Sequence, residues 1–278
     1  MRKIGLVLGG GGARGCAHVG AIKALEEANI PIHYIAGTSI GSIVGGIYAM
    51  GQIHELEKFL SDIKWNDVLT HFDPTVMNNG IFKGNKAEKL FADFTHNGTF
   101  SDCKIPFIAI ATDLVEGEEV QMKDGSLASA IRASISLPGI FKVTQIDDKY
   151  LVDGGVVNPL PVNAARQMGA DIVIAIDLNK EFIEEKKKIK VSKAQEKSDK
   201  KLSKSKYPNM IDVIEVSVFL MQRRITEKNL ESNPADVLVN MKLISASLFD
   251  FHKAPILMKE GYMQMKKRIP EIQKLISG

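Results

Sequence analysis

A glycine-rich loop near the start of the chain restricts the fold more than any other feature of the sequence. Lys3 to Leu8 is a short, mostly apolar run that predicts a buried strand. Cys16 to Ala28 carries apolar residues at helical spacing, and residues 9–15, with the sequence GGGGARG, join the two segments. A strand, a tight loop and a helix in this order indicate an α/β protein.

Short apolar runs and helical patterns continue to alternate along the chain. The strands predicted after the first are His33–Ala36, Ile105–Thr112, Lys149–Val152, Asp171–Asp177 and Ala235–Asn240. The helices predicted after the first are Ile40–Met50, 52–64, Ser126–Ser136, Pro161–Met168, Asn209–Arg224 and Ala254–Ile276, and residues 65–84 are predicted to be rich in loops. This order predicts a three-layer α/β/α fold with a mostly parallel central sheet.

One segment differs from the rest of the chain in charge. Residues 180–206 contain 11 lysines and five acidic residues, a local net charge of +6 in a chain whose total is +3. Such a composition cannot bury apolar surface, so we expect a mobile insert within a single domain of residues 1–278. The insert has no arginine and one aromatic residue, Phe182, which disfavours nucleic-acid binding. Because lysines are attracted to anionic lipid, peripheral membrane contact through 180–206 is a hypothesis.

The sequence contains no signal for export or for membrane insertion. Only five apolar-type residues follow Met1-Arg2-Lys3 before the glycines, and these are too few for a secretory signal. No stretch approaches the roughly 18 apolar residues of a membrane-spanning helix. Cys16 and Cys103 do not make a disulfide framework, so we expect free thiols. These features predict a cytoplasmic protein, which the insert would bring to the inner membrane surface.

The glycine loop has two interpretations. Gly10, Gly12 and Gly15 satisfy the G-x-G-x-x-G pattern of dinucleotide-binding proteins. That function needs an acidic residue about 20 positions later to hold the ribose. No acidic residue occurs between Glu27 and Glu55, so nucleotide binding is the weaker alternative.

The second interpretation assigns the loop to acyl transfer. Backbone N–H groups at a strand-to-helix turn bind negative charge, and an oxyanion is such a charge. The candidates for this oxyanion hole are Gly10, Gly11, Gly12, Arg14 and Gly15. The Arg14 side chain has three alternatives: it fixes the loop, meets a phosphate head group, or lies on the surface near the helix start.

The segment Gly37-Thr38-Ser39-Ile40-Gly41 fits the G-x-S-x-G pattern. In this elbow a serine lies on a tight turn between a strand and a helix with its Oγ exposed, and the flanking glycines relieve crowding. A predicted strand precedes the segment and a predicted helix follows it. Ser39 is therefore the candidate nucleophile, although the pattern alone is common.

A nucleophilic serine needs a base, and the histidines do not supply one. His252 is the only histidine after Asp153, and the others come too early or lie in predicted loops, so a Ser-Asp-His triad is not supported. Asp153 ends a predicted strand and is followed by Gly154-Gly155, which lets the chain turn away from a cleft. An ordinary Asp-Gly turn explains the same residues equally well.

Together these three motifs resemble the patatin-like phospholipase family. The order and spacing of the glycine loop, the Ser39 segment and Asp153-Gly154-Gly155 are similar to those of its bacterial members. Residues 131–141, IRASISLPGIF, and 111–114, ATDL, also resemble the family's segments. The similarity covers residues 3–180 well and 208–276 loosely, and the insert departs from the compact pattern expected.

The resemblance implies a Ser39–Asp153 dyad without histidine and an oxyanion hole in the glycine loop, near Gly11 and Gly12. It implies hydrolysis of fatty acyl esters of phospholipids or lysophospholipids, with no metal and no cofactor. Gly37, Gly41, Gly154 and Gly155 would support the elbow and the turn. An acyltransferase with the same acyl-enzyme intermediate is an alternative, and a non-catalytic relative is disfavoured because the dyad is intact.

Overall fold

A computed structural model describes residues 2–64, 82–180, 210–243 and 246–278. In these residues eight strands form one sheet. The strands are β1 (Ile4–Leu8), β2 (Tyr34–Thr38), β3 (Phe107–Asp113), β4 (Glu119–Met122), β5 (Thr144–Ile146), β6 (Lys149–Asp153), β7 (Ile172–Asp177) and β8 (Val237–Asn240).

Nine α-helices surround the sheet in the same described ranges. They are α1 (Cys16–Glu27), α2 (Ile40–Ala49), α3 (Ile53–Asp62), α4 (Asn85–Phe94), α5 (Leu127–Ser134), α6 (Val162–Gln167), α7 (Met210–Ser232), α8 (Ala254–Lys266) and α9 (Ile269–Ser277). None of these helices combines the length and the apolar character that crossing a bilayer requires.

The sheet has a parallel half and an antiparallel half. Strands β3, β2, β1, β7 and β8 lie side by side in that order and are all parallel. Beyond β3 the direction reverses, because β6 and β4 both pair with β3 antiparallel and β5 pairs with β6 antiparallel. The glycine loop follows β1, whose neighbours are β2 and β7. This is the switch point at which open α/β sheets bind their ligands.

Helices cover both faces of the sheet. Because side chains alternate along a strand, Leu6 and Leu8 of β1 pack on one face and Val7 on the other. The face of Leu6 is covered by α1, α2, α3, α8 and α9, and the face of Val7 by α6 with part of α7. The predicted three-layer α/β/α class with a mostly parallel sheet is confirmed.

The structure differs from the sequence-based elements at several points. The predicted strands and helices inside the parallel half have counterparts, but β4, β5 and α4 were not predicted. The single helix expected over 254–276 is wrong, because the chain forms α8 and α9 with Pro270 in the first turn of the second helix. Helix α7 continues to Ser232, eight residues past the predicted end. Residues 181–206 of the insert and 65–81 of the loop-rich stretch lie outside the described residues.

Two glycines let α1 and α8 cross in close contact. A Cβ on Gly20 would overlap the Met258 carbonyl oxygen, and a Cβ on Gly261 would overlap the Ala17 carbonyl oxygen. Backbone atoms cannot move aside as a flexible side chain can. The crossing therefore depends on glycine at both positions, although glycine disfavours a helix by about 1 kcal/mol relative to alanine.

We expect Gly261→Ala to lower the free energy of unfolding by about 1–3 kcal/mol, because the new methyl group forces the two helices apart. Helix propensity alone predicts a gain of about 1 kcal/mol, so the sign of the change separates the two effects. The measurement is urea denaturation at equilibrium. Lys259→Ala, at an exposed position of the same helix, is the control. A stabilised Gly261→Ala variant would show that the crossing is not tight.

Candidate active site

Ser39 lies in a strained turn between β2 and α2. Its backbone has φ 56° and ψ −126°, a conformation that costs a non-glycine residue on the order of 1–3 kcal/mol. The flanking glycines allow the turn. A Cβ on Gly37 would overlap the Gly41 carbonyl oxygen, and a Cβ on Gly41 would overlap the Leu8 carbonyl oxygen. The predicted elbow is therefore present, with both glycines required by close backbone contact.

Two other serines hold the backbone of this turn. The Ser39 N–H donates to Ser134 Oγ at 2.9 Å, and Ser134 Oγ donates to the Ile110 carbonyl oxygen at 2.5 Å. Ser42 Oγ donates to the Ser39 carbonyl oxygen at 2.6 Å. Sequence reasoning did not identify Ser134 or Ser42 as site residues. The only signal was the IRASISLPGIF segment, which contains Ser134 but does not indicate its partner.

The reversal of β6 brings Asp153 to Ser39. Thr38 pairs with Ile110 of β3, and Asp153 pairs with Ala111 of the same strand. The last residues of β2 and β6 thus lie on opposite sides of β3, opposite adjacent residues of that strand. Ser39 Oγ donates to Asp153 Oδ2 at 2.6 Å, although the two residues are 114 positions apart in sequence.

The Asp153 carboxylate is buried with few polar contacts. The residue is 1% exposed, and its other oxygen, Oδ1, accepts a hydrogen bond from the Gly155 N–H at 2.7 Å. Burial raises the pKa of the carboxyl from 3.8 to about 6, and the hydrogen bonds from Ser39 and Gly155 limit the rise. Gly154 permits the turn, because a Cβ there would overlap the Ile110 carbonyl oxygen. A hydrogen-bonded carboxyl with such a pKa can exchange a proton with Ser39 near neutral pH.

The glycine loop passes directly beside Ser39. A Cβ placed on Gly10 would lie 3.4 Å from Ser39 Cβ. The Gly10 N–H donates to the Pro159 carbonyl oxygen at 3.0 Å, so Gly10 is wrong as an oxyanion donor. Gly12 has φ 59° and lines the same cavity as Ser39 and Asp153. Within the described residues the N–H groups of Gly11 and Gly12 have no protein acceptor.

Arg14 fixes the glycine loop from inside the protein. The residue is 1% exposed, so the surface position is wrong. Its guanidinium donates to the carbonyl oxygens of Gly11 and Leu178 and to Asn179 Oδ1 at 3.0–3.1 Å, and it stacks on the Phe219 ring. Burial lowers its pKa to about 9, which leaves it charged at neutral pH. The side chain therefore stabilises the loop and does not face a head group.

Two amides connect the loop to α7. Asn179 Nδ2 donates to the Gly10 carbonyl oxygen and to Gln222 Oε1, both at 3.2 Å. The Gln222 amide also fills the space beside Gly155, where a Cβ would overlap it. Gln222 thus lies between the glycine loop and the Asp153 turn. Sequence reasoning missed both amides, because each acts through contacts that no local pattern encodes.

The remaining candidate of the loop, Gly15, has a packing role. It ends the short 3₁₀ turn Gly12–Gly15, and a Cβ there would overlap the Ile40 side chain at the start of α2. The contact lets α1 and α2 begin side by side. Gly15 therefore helps to place the elbow through its contact with Ile40. Nothing in this contact supports a role for Gly15 as an oxyanion donor.

The family model for patatin-like phospholipases matches residues 6–166, which is more than half of the chain and includes the loop, the elbow and Asp153. This chain belongs to the patatin-like phospholipase family. The resemblance predicted from the motifs is confirmed.

Relatives match nearly two thirds of this patatin-like chain. An uncharacterized NTE family protein of Mycobacterium tuberculosis strain H37Rv is 38% identical over 177 residues, which are 64% of this chain and 49% of that protein. Human patatin-like phospholipase domain-containing protein 6 is 38% identical over 182 residues, 63% of this chain and 13% of that protein. The chain therefore spans about half the length of the mycobacterial relative. The crystal structure of VipD from Legionella pneumophila has the same fold, with a TM-score of 0.51, 13% identity, and coverage of 97% of this chain and 67% of that one.

The patatin-like site opens into an apolar cavity, here called the catalytic cavity. Ser39, Asp153 and Gly12 form its polar end. The other described residues of its lining are apolar: Ile40, Ile43, Ala87, Leu90, Phe91, Ile135, Leu137, Phe141, Leu248 and Phe249. Such side chains suit the hydrocarbon part of a ligand, and the Asp153 carboxylate is the one charged group among the described lining residues.

His18, Asp113 and Asp177 are titratable residues that do not line the catalytic cavity. His18 is buried with Nε2 bonded to the Gly9 carbonyl oxygen, and burial lowers its pKa to about 4. No histidine is among the described residues that line the catalytic cavity. Asp113 accepts hydrogen bonds from two N–H groups of its own turn, and Asp177 accepts one from the Asn179 N–H. In the described part of the chain, no three His, Cys, Asp or Glu side chains are placed to hold a metal ion.

We expect Asp153→Asn to change the free energy of unfolding more favourably at pH 8 than at pH 4. The difference between the two changes should be up to about 3 kcal/mol. The folded pKa of about 6 lies above the unfolded value of 3.8. The folded wild type thus binds the proton more tightly than the unfolded chain, and its stability falls as pH rises from about 4 to 6. An amide does not ionise; its oxygen can accept from the Gly155 N–H, and its NH2 can donate to Ser39 Oγ, which reverses the direction of that bond. The measurement is urea denaturation at both pH values.

Asp148→Asn, at an exposed turn position, is the matched control for this experiment, because it removes a carboxylate that is not buried. Its effect on stability should differ little between the two pH values. An Asp153→Asn effect that is equally independent of pH would contradict the raised pKa.

Proposed function

We infer that this protein is a serine acyl hydrolase that cleaves fatty acyl esters of phospholipids or lysophospholipids. The observation that carries the proposal is the 2.6 Å hydrogen bond from Ser39 Oγ to the buried Asp153 carboxylate, at the polar end of an apolar cavity. The bond supplies a nucleophile with a base, and the cavity supplies a place for an acyl chain. The name of the human relative, a patatin-like phospholipase domain-containing protein, agrees with this activity, but the match covers 13% of that protein.

In the first step Asp153 Oδ2 takes the hydroxyl proton while Ser39 Oγ attacks the ester carbonyl carbon. The carbonyl oxygen becomes an oxyanion, and the N–H groups of Gly11 and Gly12 donate to it. Removing one such donor in other hydrolases costs about 3–4 kcal/mol of transition-state stabilisation. Arg14 stabilises this step indirectly, because it binds the Gly11 carbonyl oxygen and so orients the loop.

The proton returns to the leaving alcohol when the tetrahedral intermediate collapses. Protonated Asp153 donates to the departing oxygen, and the acyl group remains bonded to Ser39 Oγ. A water molecule then gives its proton to Asp153 and attacks the acyl carbon, and collapse of the second intermediate releases the fatty acid and restores the Ser39 hydroxyl. One carboxyl serves both halves of the reaction, so no histidine is needed.

An alcohol in place of that water would give acyl transfer from the same intermediate. Apart from Gly12, Ser39 and Asp153, the described residues that line the catalytic cavity are apolar and offer no group to bind an acceptor alcohol, which favours hydrolysis. Nucleotide binding lacks the ribose carboxylate, and the N–H of Gly10 is already bonded within the protein. The cytoplasmic location and membrane contact through residues 180–206 stay predictions.

Ser39→Ala and Asp153→Asn should each lower kcat for p-nitrophenyl ester hydrolysis by at least a thousandfold, because each removes one partner of the proton transfer. Wild type should release fatty acid from lysophosphatidylcholine, and both variants should not. A fluorophosphonate probe should label wild type and fail to label Ser39→Ala.

Ser101→Ala and Asp113→Asn are the matched controls for these variants. Ser101 is exposed, and Asp113 ends a neighbouring strand as Asp153 does. Both controls should retain activity within a few-fold of wild type. Full activity in Ser39→Ala or Asp153→Asn, or loss of activity in Asp113→Asn alone, would refute the dyad.

The pH dependence of kcat/KM should report the Asp153 carboxyl. Only the ionised form accepts the serine proton, and its pKa is about 6. We therefore expect kcat/KM to fall about tenfold per pH unit below pH 6 and to be level above it. Initial rates with a short, soluble ester between pH 4.5 and 8.5 give the profile. A level profile down to pH 4.5 would exclude a base with this pKa.

A further inference from the structure

A second cavity adjoins the catalytic cavity on the side away from Asp153. We call it the distal compartment. Among the described residues its lining is apolar and consists of Cys16, Ile40, Ile43, Val44, Ile47, Leu56, Phe59, Leu60, Ile63, Leu90, Phe91, Phe94 and Phe251. Four of these residues, Ile40, Ile43, Leu90 and Phe91, also line the catalytic cavity. The two cavities therefore share a wall made of flexible apolar side chains.

Helix α2 runs from Ser39 past both cavities, so its length measures the distance from Ser39 into the distal compartment. Ile40, Ile43, Val44 and Ile47 follow the i, i+3, i+4, i+7 spacing that places side chains on one helix face. This face starts beside Ser39, next lines both cavities, and ends with Val44 and Ile47 in the distal compartment alone. At 1.5 Å per residue, the axial distance from Ser39 is about 7.5 Å to Val44 and about 12 Å to Ile47.

We propose that the distal compartment binds the terminal carbons of the substrate acyl chain and that Val44 and Ile47 set the longest chain accepted. This proposal rests on the proposed acyl hydrolase function. A carbon–carbon bond of about 1.5 Å gives an extended chain about 1.25 Å per carbon. Six carbons therefore reach Val44, and about ten reach Ile47.

The apolar lining of the distal compartment favours an acyl chain as its ligand. The described residues that line the compartment include no charged side chain to bind a phosphate head group. Burial raises the pKa of the Cys16 thiol to about 12, which keeps it neutral. Apolar cavities of this kind do not hold ordered water and readily take up hydrocarbon. The compartment shares four lining residues with the cavity of Ser39, so an acyl chain bonded to Ser39 is the hydrocarbon nearest to it.

The test compares kcat/KM for p-nitrophenyl esters of four to sixteen carbons, each below its micelle concentration. In wild type, kcat/KM should rise with each added carbon up to about ten, by at most about fourfold per methylene, and then level off. Val44→Phe places a ring in the compartment, so the rise should end near six carbons. The ratio of kcat/KM for decanoate to that for butyrate should fall at least tenfold.

Two further variants keep the test decisive. Leu60→Phe brings bulk from the opposite wall on α3 and should also shorten the preferred chain, which covers the case in which Val44→Phe does not fold. Val115→Phe is the matched control, because it makes the same substitution at an exposed valine outside both cavities. It should keep the wild-type chain-length profile. Unchanged profiles in both cavity variants would overturn the proposal.

Binding to Ser39→Ala separates this proposal from the catalytic one. Free decanoate should raise the Tm of Ser39→Ala, and adding Val44→Phe should abolish that shift, because ligand binding stabilises the folded state. If decanoate binds in this way but wild type hydrolyses no ester, binding in the distal compartment is supported and the hydrolase function is refuted. If wild type hydrolyses esters and Val44→Phe changes neither the profile nor the shift, the compartment fails alone.

Discussion

A carboxylate kept almost free of water is the constraint on which the rest of this site depends. Asp153 has two hydrogen bonds, to Ser39 Oγ and to the Gly155 N–H, and burial opposes its charge. In the proposed mechanism, that opposition lets the group take up a proton as a base, which a permanently ionised surface carboxylate does poorly. The apolar lining of the catalytic cavity contributes to it, so the surface suited to a hydrocarbon chain also tunes the base.

Close backbone contact, made possible by glycine, brings the site together. At Gly37, Gly41 and Gly154 a side chain would collide with a carbonyl oxygen of a neighbouring segment. These contacts bring the elbow close to the end of β1, and the Asp153 turn close to β3. The strained conformation of Ser39 is then maintained by two hydrogen bonds: its N–H donates to Ser134 Oγ, and its carbonyl oxygen accepts from Ser42 Oγ. Conformational strain at one residue is offset by packing and hydrogen bonds around it.

The features predictable from sequence were those encoded locally. Apolar runs located the parallel strands, and glycine patterns located the loop, the elbow and the Asp153 turn, because each depends on residues adjacent in the chain. The antiparallel β4 and β5 were missed since their strands are short and only half buried. Ser134, Asn179 and Gln222 show the limit most clearly. Each has an ordinary local context and a partner defined only by the tertiary fold, so no spacing rule separates them from surface residues.

The order in which these parts leave the ribosome has a consequence for the growing chain. Ser39 is synthesised before Ser134, to which its N–H donates, and 114 residues before Asp153, to which its hydroxyl donates. Synthesis runs from the amino terminus, so a chain that ends before Asp153 carries a serine without its proposed base. Under the proposed mechanism, reactivity arises only when β6 has paired with β3. A nascent or prematurely terminated chain would then leave lipid esters intact, because the reversed strand that carries the base is missing.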